Sequence, residues 1–287
     1  MAMKLLKIIF RFTLLLLIAL ITVQCMNKNV STGKEYKILF LHHSTGLVIY
    51  EGARKKISIL GHSIGGKSDV PRWFDDYNES KGTAYQFTEQ LFPKASPYGW
   101  NNYPYDYYNI WVKHAGNNPF MEEPTLEMLT RNYNMIIFKH CYPVGDLLED
   151  INKPDIDSPE KRIENYKLQY MALKKKMLEF PNTKFLLWTG AVRIESQTNP
   201  SSAALSKAFF NWVRDEWDTP NDNIYLFDFE KIETEGGLYL KSEYANNSSD
   251  SHPGKEFAKK TAPLFCQRIV DVIENNGEKT MLTGVRK

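Results

Sequence analysis

Tyr36-Lys37-Ile38-Leu39-Phe40-Leu41-His42-His43-Ser44-Thr45-Gly46 is the stretch on which the fold turns. Ile38 to Leu41 form an unbroken apolar run, the pattern of a strand buried on both faces. The run stops abruptly at two histidines, a serine and Gly46, which permits a tight turn. A strand buried on both faces belongs in an α/β sheet, where ligands and chemistry gather at the carboxyl ends of the strands. Two readings of Ser44 stay open at this point. It caps a following helix, or it is a reactive group presented at the sheet edge.

Working outward, apolar runs at residues 57–64, 135–138, 184–189 and 223–229 are the other strand candidates. Helical patterns fall at 47–56, 125–131, 159–180, 201–217 and 255–275, and Ser158 and Pro159 read as the cap and first residue of the third. Strands alternating with helices predict one α/β domain with a five-stranded, mostly parallel sheet covered on both faces, a three-layer α/β/α sandwich. Residues 65–118 break the rhythm. This long insertion is crowded with aromatics such as Trp73, Tyr85, Trp100 and Trp111, too apolar for disorder. It reads as a packed cover over the sheet edge, as a substrate wall of flat rings with polar tips, or as both.

The chain has 287 residues, enough for a sizeable core, and a formal net charge of +2, which gives no field for nucleic acid. Lys4, Lys7 and Arg11 precede an apolar run at 12–23, followed by Gln24-Cys25. A positive flank and a short greasy segment read as an export signal, and Cys25 resembles the lipid acceptor of a bacterial lipoprotein. The expected organisation is a signal peptide at 1–25, a tether at 26–35, the α/β domain at 36–275 and a polar tail at 276–287. The expected location is the cell envelope, periplasmic or surface, with membrane attachment through lipid on Cys25; plain secretion or an uncleaved anchor is the alternative. Two further cysteines, Cys141 and Cys266, make no disulfide framework, and each is expected to pack as a small apolar side chain. The histidines are scattered and His42 and His43 alternate faces, so no metal is expected; no organic cofactor is implied either.

Ser249-Asp250-Ser251-His252-Pro253-Gly254 lies directly before the last helix. A histidine with an aspartate two residues earlier can supply a general base and the group that orients it, and serine is a weak nucleophile until such a base takes its proton. Strand-to-helix loops of a doubly wound sheet open on one edge, so Ser44 and this loop are expected to meet. The alternative for His252 is capping or ordinary surface polarity.

These two segments together resemble the SGNH or GDSL hydrolase family, in which the serine follows the first strand and an Asp-x-x-His motif precedes the last helix. The resemblance spans residues 36–275. It implies a flavodoxin-like fold, Ser44 as nucleophile, His252 as base and Asp250 as its orienting acid. Three features depart from the family pattern. Ser249, not an acid, stands three before His252. The Gly-x-Asn-Asp block after the third strand reads Lys139-His140-Cys141-Tyr142-Pro143, without the oxyanion asparagine. The glycine block is spread over Gly61, Gly65 and Gly66. Oxyanion donors therefore stay open among the Ser44 backbone N–H, those glycines, His140 and Asn109.

Gly61-His62-Ser63-Ile64-Gly65 also fits the Gly-x-Ser-x-Gly elbow of α/β-hydrolases, with Ser63, Asp228 or Asp250, and His252 as the set. Against it, Lys67-Ser68-Asp69-Val70-Pro71 reads as helix-breaking where an elbow needs a helix. The expected function is an exported SGNH-type serine esterase that hydrolyses or transfers an O-acyl group, with a carbohydrate as substrate because sugar rings stack on aromatic faces. The alternatives are a non-catalytic glycan-binding lipoprotein on the same fold and an α/β-hydrolase acting through Ser63.

Overall fold

The computed structural model describes residues 33, 35–53, 56–59 and 62–279; for 56–59 and 62–65 it describes the backbone alone. The signal segment, Cys25, Gly61 and residues 280–287 lie outside the described residues. Chain order is β1 (Tyr36–His42), α1 (Ser44–Glu51), a hairpin of β2 (Lys56–Ile59) and β3 (His62–Gly65), α2 (Asp69–Lys81), β4 (Tyr85–Leu91), α3 (Pro104–Tyr108), α4 (Leu126–Leu129) and β5 (Met135–Lys139). It continues through α5 (Ile163–Leu178), β6 (Lys184–Trp188), α6 (Pro200–Trp212), β7 (Ile224–Phe227), α7 (Phe229–Thr234), β8 (Ala245–Asn247), β9 (Asp250–Pro253) and α8 (Lys255–Asn275). None of the described helices is long and apolar enough to cross a membrane.

The main sheet runs β4-β1-β5-β6-β7 and every pairing in it is parallel. Counted within the sheet, this is the second-first-third-fourth-fifth order of flavodoxin-like folds, with the order reversing at β1. Alternation splits the side chains between two cores. Leu39, Leu41, Ile136, Phe138, Phe185 and Leu187 face the α3, α5 and α6 layer, where Tyr107, Tyr166, Tyr170 and Phe209 meet them. Ile38, Phe40, Met135, Ile137, Leu186 and Trp188 face α1, α2 and α8 through Ile49, Val70, Phe74 and Phe265. Each large apolar side chain so buried contributes about 1.5–3 kcal/mol.

Two expectations need correction. The run at 57–64 is not a strand of the main sheet: its backbone folds on itself, Ser58 opposite Ser63, as an antiparallel hairpin. The missing strand is β4, inside the aromatic insertion and paired along its length with β1. The insertion also holds α2 and α3, and most of its rings are structural: Phe92, Tyr107 and Trp111 are fully buried. The helix expected from 159 begins at Ile163, capped at Arg162 without a side-chain bond. Ser158 instead accepts from the Glu160 N–H at 3.2 Å, closing a turn that precedes the helix.

Candidate active site

β1 ends at His42, and α1 begins two residues later with Ser44 as its first helical residue. The N–H groups in a helix's first turn have no intrahelical acceptor, so Ser44 sits where backbone donors and the positive end of a helix dipole face the sheet's carboxyl edge. His43, the cap residue, is extended and buried. Its Nε2–H donates to the Pro93 carbonyl at 2.7 Å, and burial pushes its pKa down to about 4, which keeps the ring neutral.

The histidine that meets Ser44 comes from the other end of the chain. In β9, alternation puts Asp250 and His252 on one side and Ser251 on the other. Ser251 is buried and accepts from the Ile194 N–H at 3.1 Å, while its own N–H donates to Gln197, anchoring the strand. His252 Nδ1 lies 2.6 Å from Asp250 Oδ1, and Nε2 lies 2.8 Å from Ser44 Oγ. Strand geometry therefore explains the unusual spacing: an acid two residues before the histidine shares its face, whereas Ser249 turns away to Asn247.

Asp250 also accepts from the His252 backbone N–H at 3.0 Å and from Asn246 Nδ2 at 2.9 Å. The backbone bond first, then the ring bond, pull its pKa down to about 2. An ionised acceptor at Nδ1 fixes the tautomer that carries its hydrogen there and leaves Nε2 free to accept the Ser44 hydroxyl proton. The Tyr142 ring packs edge-on against His252 at 5.3 Å between centroids. His252 and Asp250 keep 37% and 35% of their side chains exposed, so the site is open to substrate.

Beneath Ser44, both ring nitrogens of His42 face acceptors, the His43 carbonyl at 2.9 Å and Glu89 Oε2 on β4 at 3.0 Å. The His42 bond holds the Glu89 carboxyl below its usual pKa, against a smaller opposing effect of burial. A carboxyl depressed in the folded state stabilises the fold above its unfolded pKa and loses that contribution as pH falls through the folded value. Glu89→Gln is expected to cost about 1 kcal/mol near neutrality. The melting-temperature gap to wild type should close as pH falls below the ordinary carboxylate range; a gap constant from pH 7 to 3 would refute the pairing.

The other sequence candidates are placed elsewhere. The His140 ring is enclosed by Tyr107, Phe138 and Tyr170, with Nε2 2.6 Å from the Tyr170 hydroxyl, so it is not offered as an oxyanion donor. Asn109 lies in a π turn after α3 and donates to the Tyr98 hydroxyl at 3.0 Å. Gly65 ends β3 opposite Lys56, in the hairpin rather than the main sheet. Ser63 is within that hairpin strand, not on a strand-to-helix turn. The stretch after it does open a helix, contrary to expectation: Ser68 takes the cap position, and Pro71 falls in the first turn, where it gives up no helical bond. Asp228, offered as acid for Ser63, instead accepts from Thr189 at 2.7 Å and Arg214 at 2.9 Å.

Sequence reasoning missed three neighbours of the site: Asn246 on Asp250, Tyr142 on His252, and Cys141, whose Sγ lies 3.6 Å from Ser44 Oγ. Cys141 and Cys266 are both free and buried; Cys266 packs among the apolar side chains under α8 as expected, and Cys141 does not merely fill space. Of the insertion's aromatics, Trp100 is 54% exposed and rests on the His43 ring at 4.7 Å, one residue from Ser44.

No protein-family model and no curated protein sequence matches this chain. Among solved structures, a family two carbohydrate esterase from Cellvibrio japonicus is similar with a TM-score of 0.43 and 13% identity, over 85% of this chain and 63% of that one. A carbohydrate esterase family 2 enzyme with a carbohydrate-binding domain from Myceliophthora fergusii gives 0.43 and 11%, over 84% and 67%. A carbohydrate acetylesterase from Xanthomonas citri gives 0.42 and 9%, over 86% and 58%. Overlap at this level adds no weight to the chemistry, which stands on the sheet order and on the contacts of Ser44, His252 and Asp250.

Proposed function

We propose that this protein is a serine esterase of the SGNH type, acting on O-acyl groups carried by a carbohydrate. The observation that carries the reading is the continuous chain from Ser44 Oγ to His252 Nε2 at 2.8 Å and from His252 Nδ1 to Asp250 at 2.6 Å, on the carboxyl edge of a parallel sheet. Ser44 Oγ attacks the ester carbonyl while its proton passes to His252 Nε2. Asp250 stabilises the imidazolium that forms, and the N–H groups at the start of α1 face the oxygen that gains charge. Collapse of the tetrahedral species returns the proton to the departing alcohol and leaves the acyl group on Ser44. Water then repeats the cycle from the other side, with His252 again taking the proton. A sugar hydroxyl in place of water gives acyl transfer with the same residues.

The exposed Trp100 face beside His43 supports a sugar ring as the alcohol portion, since flat rings with polar edges suit one another. Export and lipid attachment at Cys25 are part of the same proposal, on the strength of the leader pattern alone. A fluorophosphonate probe followed by peptide mapping tests the core of it. The adduct is expected on the Ser44 peptide, absent in Ser44→Ala, with p-nitrophenyl acetate turned over by wild type. An adduct on the Ser63 peptide favours the elbow reading, and no adduct with no turnover favours a glycan binder.

A further inference from the structure

Ser44 Oγ has a second close neighbour besides its base. Cys141 follows β5, the strand beside β1, so the sheet order carries its side chain to the start of α1. It is 7% exposed and forms no disulfide. The carbonyl oxygen of a bound ester becomes an oxyanion one carbon away from Ser44 Oγ. A donor to it must therefore stand next to Oγ without occupying the position of His252. Cys141 Sγ meets that condition at 3.6 Å, and the other side chains considered for the role, His140 and Asn109, are bonded to Tyr170 and Tyr98. The sulfur is approached by the Tyr142 backbone N–H, and the Thr45 hydroxyl lies 4.0 Å away. With those groups on its acceptor side, a thiol has its single hydrogen left for the direction of Ser44.

We propose that the Cys141 thiol donates to the developing oxyanion, together with the Ser44 backbone N–H. This rests on Ser44 being the nucleophile and adds to it a donor in the place where the sequence carries no asparagine. It has a pH consequence. Burial pushes the Cys141 thiol up, but the buried Lys139 ammonium and the bonds from Ser44, Tyr142 and Thr45 outweigh it and bring the thiol below its usual value. The other titratable groups around it are Glu233 on α7, which faces Lys139 and whose carboxyl burial pushes well above its usual pKa, the Tyr107 and Tyr142 phenols, and the Asp250–His252 pair on β9. A thiolate there repels the oxyanion and competes with His252 for the Ser44 hydrogen. Turnover therefore falls on the alkaline side as the thiol ionises.

The test uses the full chain, p-nitrophenyl acetate and four variants. Cys141→Val fills similar space without a donor and is expected to lower kcat at least tenfold with KM little changed, short of the roughly 10²-fold loss of an amide donor. Cys141→Ser keeps a donor and should recover most of what Cys141→Ala loses, while the alkaline fall in kcat disappears because a hydroxyl does not ionise in that range. Wild-type kcat in a Val variant that melts cooperatively overturns the proposal. Should Val not fold, an alkaline fall unchanged in Cys141→Ser overturns it equally. Ser44→Ala in the same assay separates the two levels: turnover surviving that change removes the nucleophile itself, whereas turnover lost there but indifferent to Cys141 removes only the thiol's role.

Discussion

His252→Ala is expected to lower kcat on an aryl acetate by about 10⁴- to 10⁶-fold while KM changes little, because the lost interaction is one made as the proton moves rather than as substrate binds. Ser44→Ala should lose about as much, and the double variant no more than either single one. Two groups that work as one device do not add. Asp250→Asn is the more discriminating change. The amide can offer an N–H to Nδ1, which favours the tautomer with hydrogen on Nε2 and removes the acceptor for the Ser44 proton. A loss of about 10²- to 10⁴-fold is expected with the fold intact. Since Asp250 titrates only near pH 2, its carboxylate adds no limb of its own to the rate profile at working pH. Initial rates at matched protein concentration, set by absorbance, measure all four. Independent, multiplying losses from Ser44→Ala and His252→Ala would contradict a shared proton path.

The residues that were legible in advance are those whose burial leaves a mark in one short segment. β1, β5, β6 and β7 are covered on both faces, so their apolar runs are unbroken and each reads as a strand. β4 is an edge strand. Tyr85-Gln86-Phe87-Thr88-Glu89 buries one face only partly, and its polar half hides it within an aromatic segment. The run at 57–64 is richer in β-branched residues, yet it finds its partner within the hairpin, a choice that composition does not record. Asp250 and His252 were legible because they lie two residues apart directly before the last helix; that the segment is a strand rather than a loop, which puts both on one face, was not. Cys141 was not, because its meaning comes from a neighbour 97 positions away, set by strand order rather than by spacing. The same holds for Glu89, which supports His42 across 47 positions. The two side-chain oxyanion candidates, His140 and Asn109, were donors by type, but inside a packed layer each is already engaged, with Tyr170 and Tyr98.

Gly46→Ala is expected to destabilise the protein by about 2–3 kcal/mol and to lower kcat at least tenfold, although helix propensity alone argues the reverse by about 1 kcal/mol. The sequence reads Gly46 as the residue of a tight turn, but the structure places it within α1, where a turn is not the constraint. The constraint is close approach. A Cβ there would stand 2.5 Å from His42 Cβ, 2.8 Å from His42 Cγ and 2.9 Å from Lys139 Cδ. His42 cannot yield, since its Cβ is fixed to β1 and its ring is held by the His43 carbonyl and Glu89. Lys139 is fully buried with its ammonium bonded to the His140 carbonyl at 2.6 Å, so its stem has little room to move. The remaining response is for α1 to lift from the sheet, carrying Ser44 away from a base 2.8 Å distant. A shift near 1 Å in such a pair costs about 10²-fold in rate. Thermal melts should show a drop of about 5–10 °C for a domain of this size. Gly66→Ala, where an added Cβ meets nothing within 4 Å, serves as the control and should change neither stability nor rate. A higher melting temperature in Gly46→Ala would mean that propensity wins and that α1 does not lie as close to β1 and β5 as the site requires.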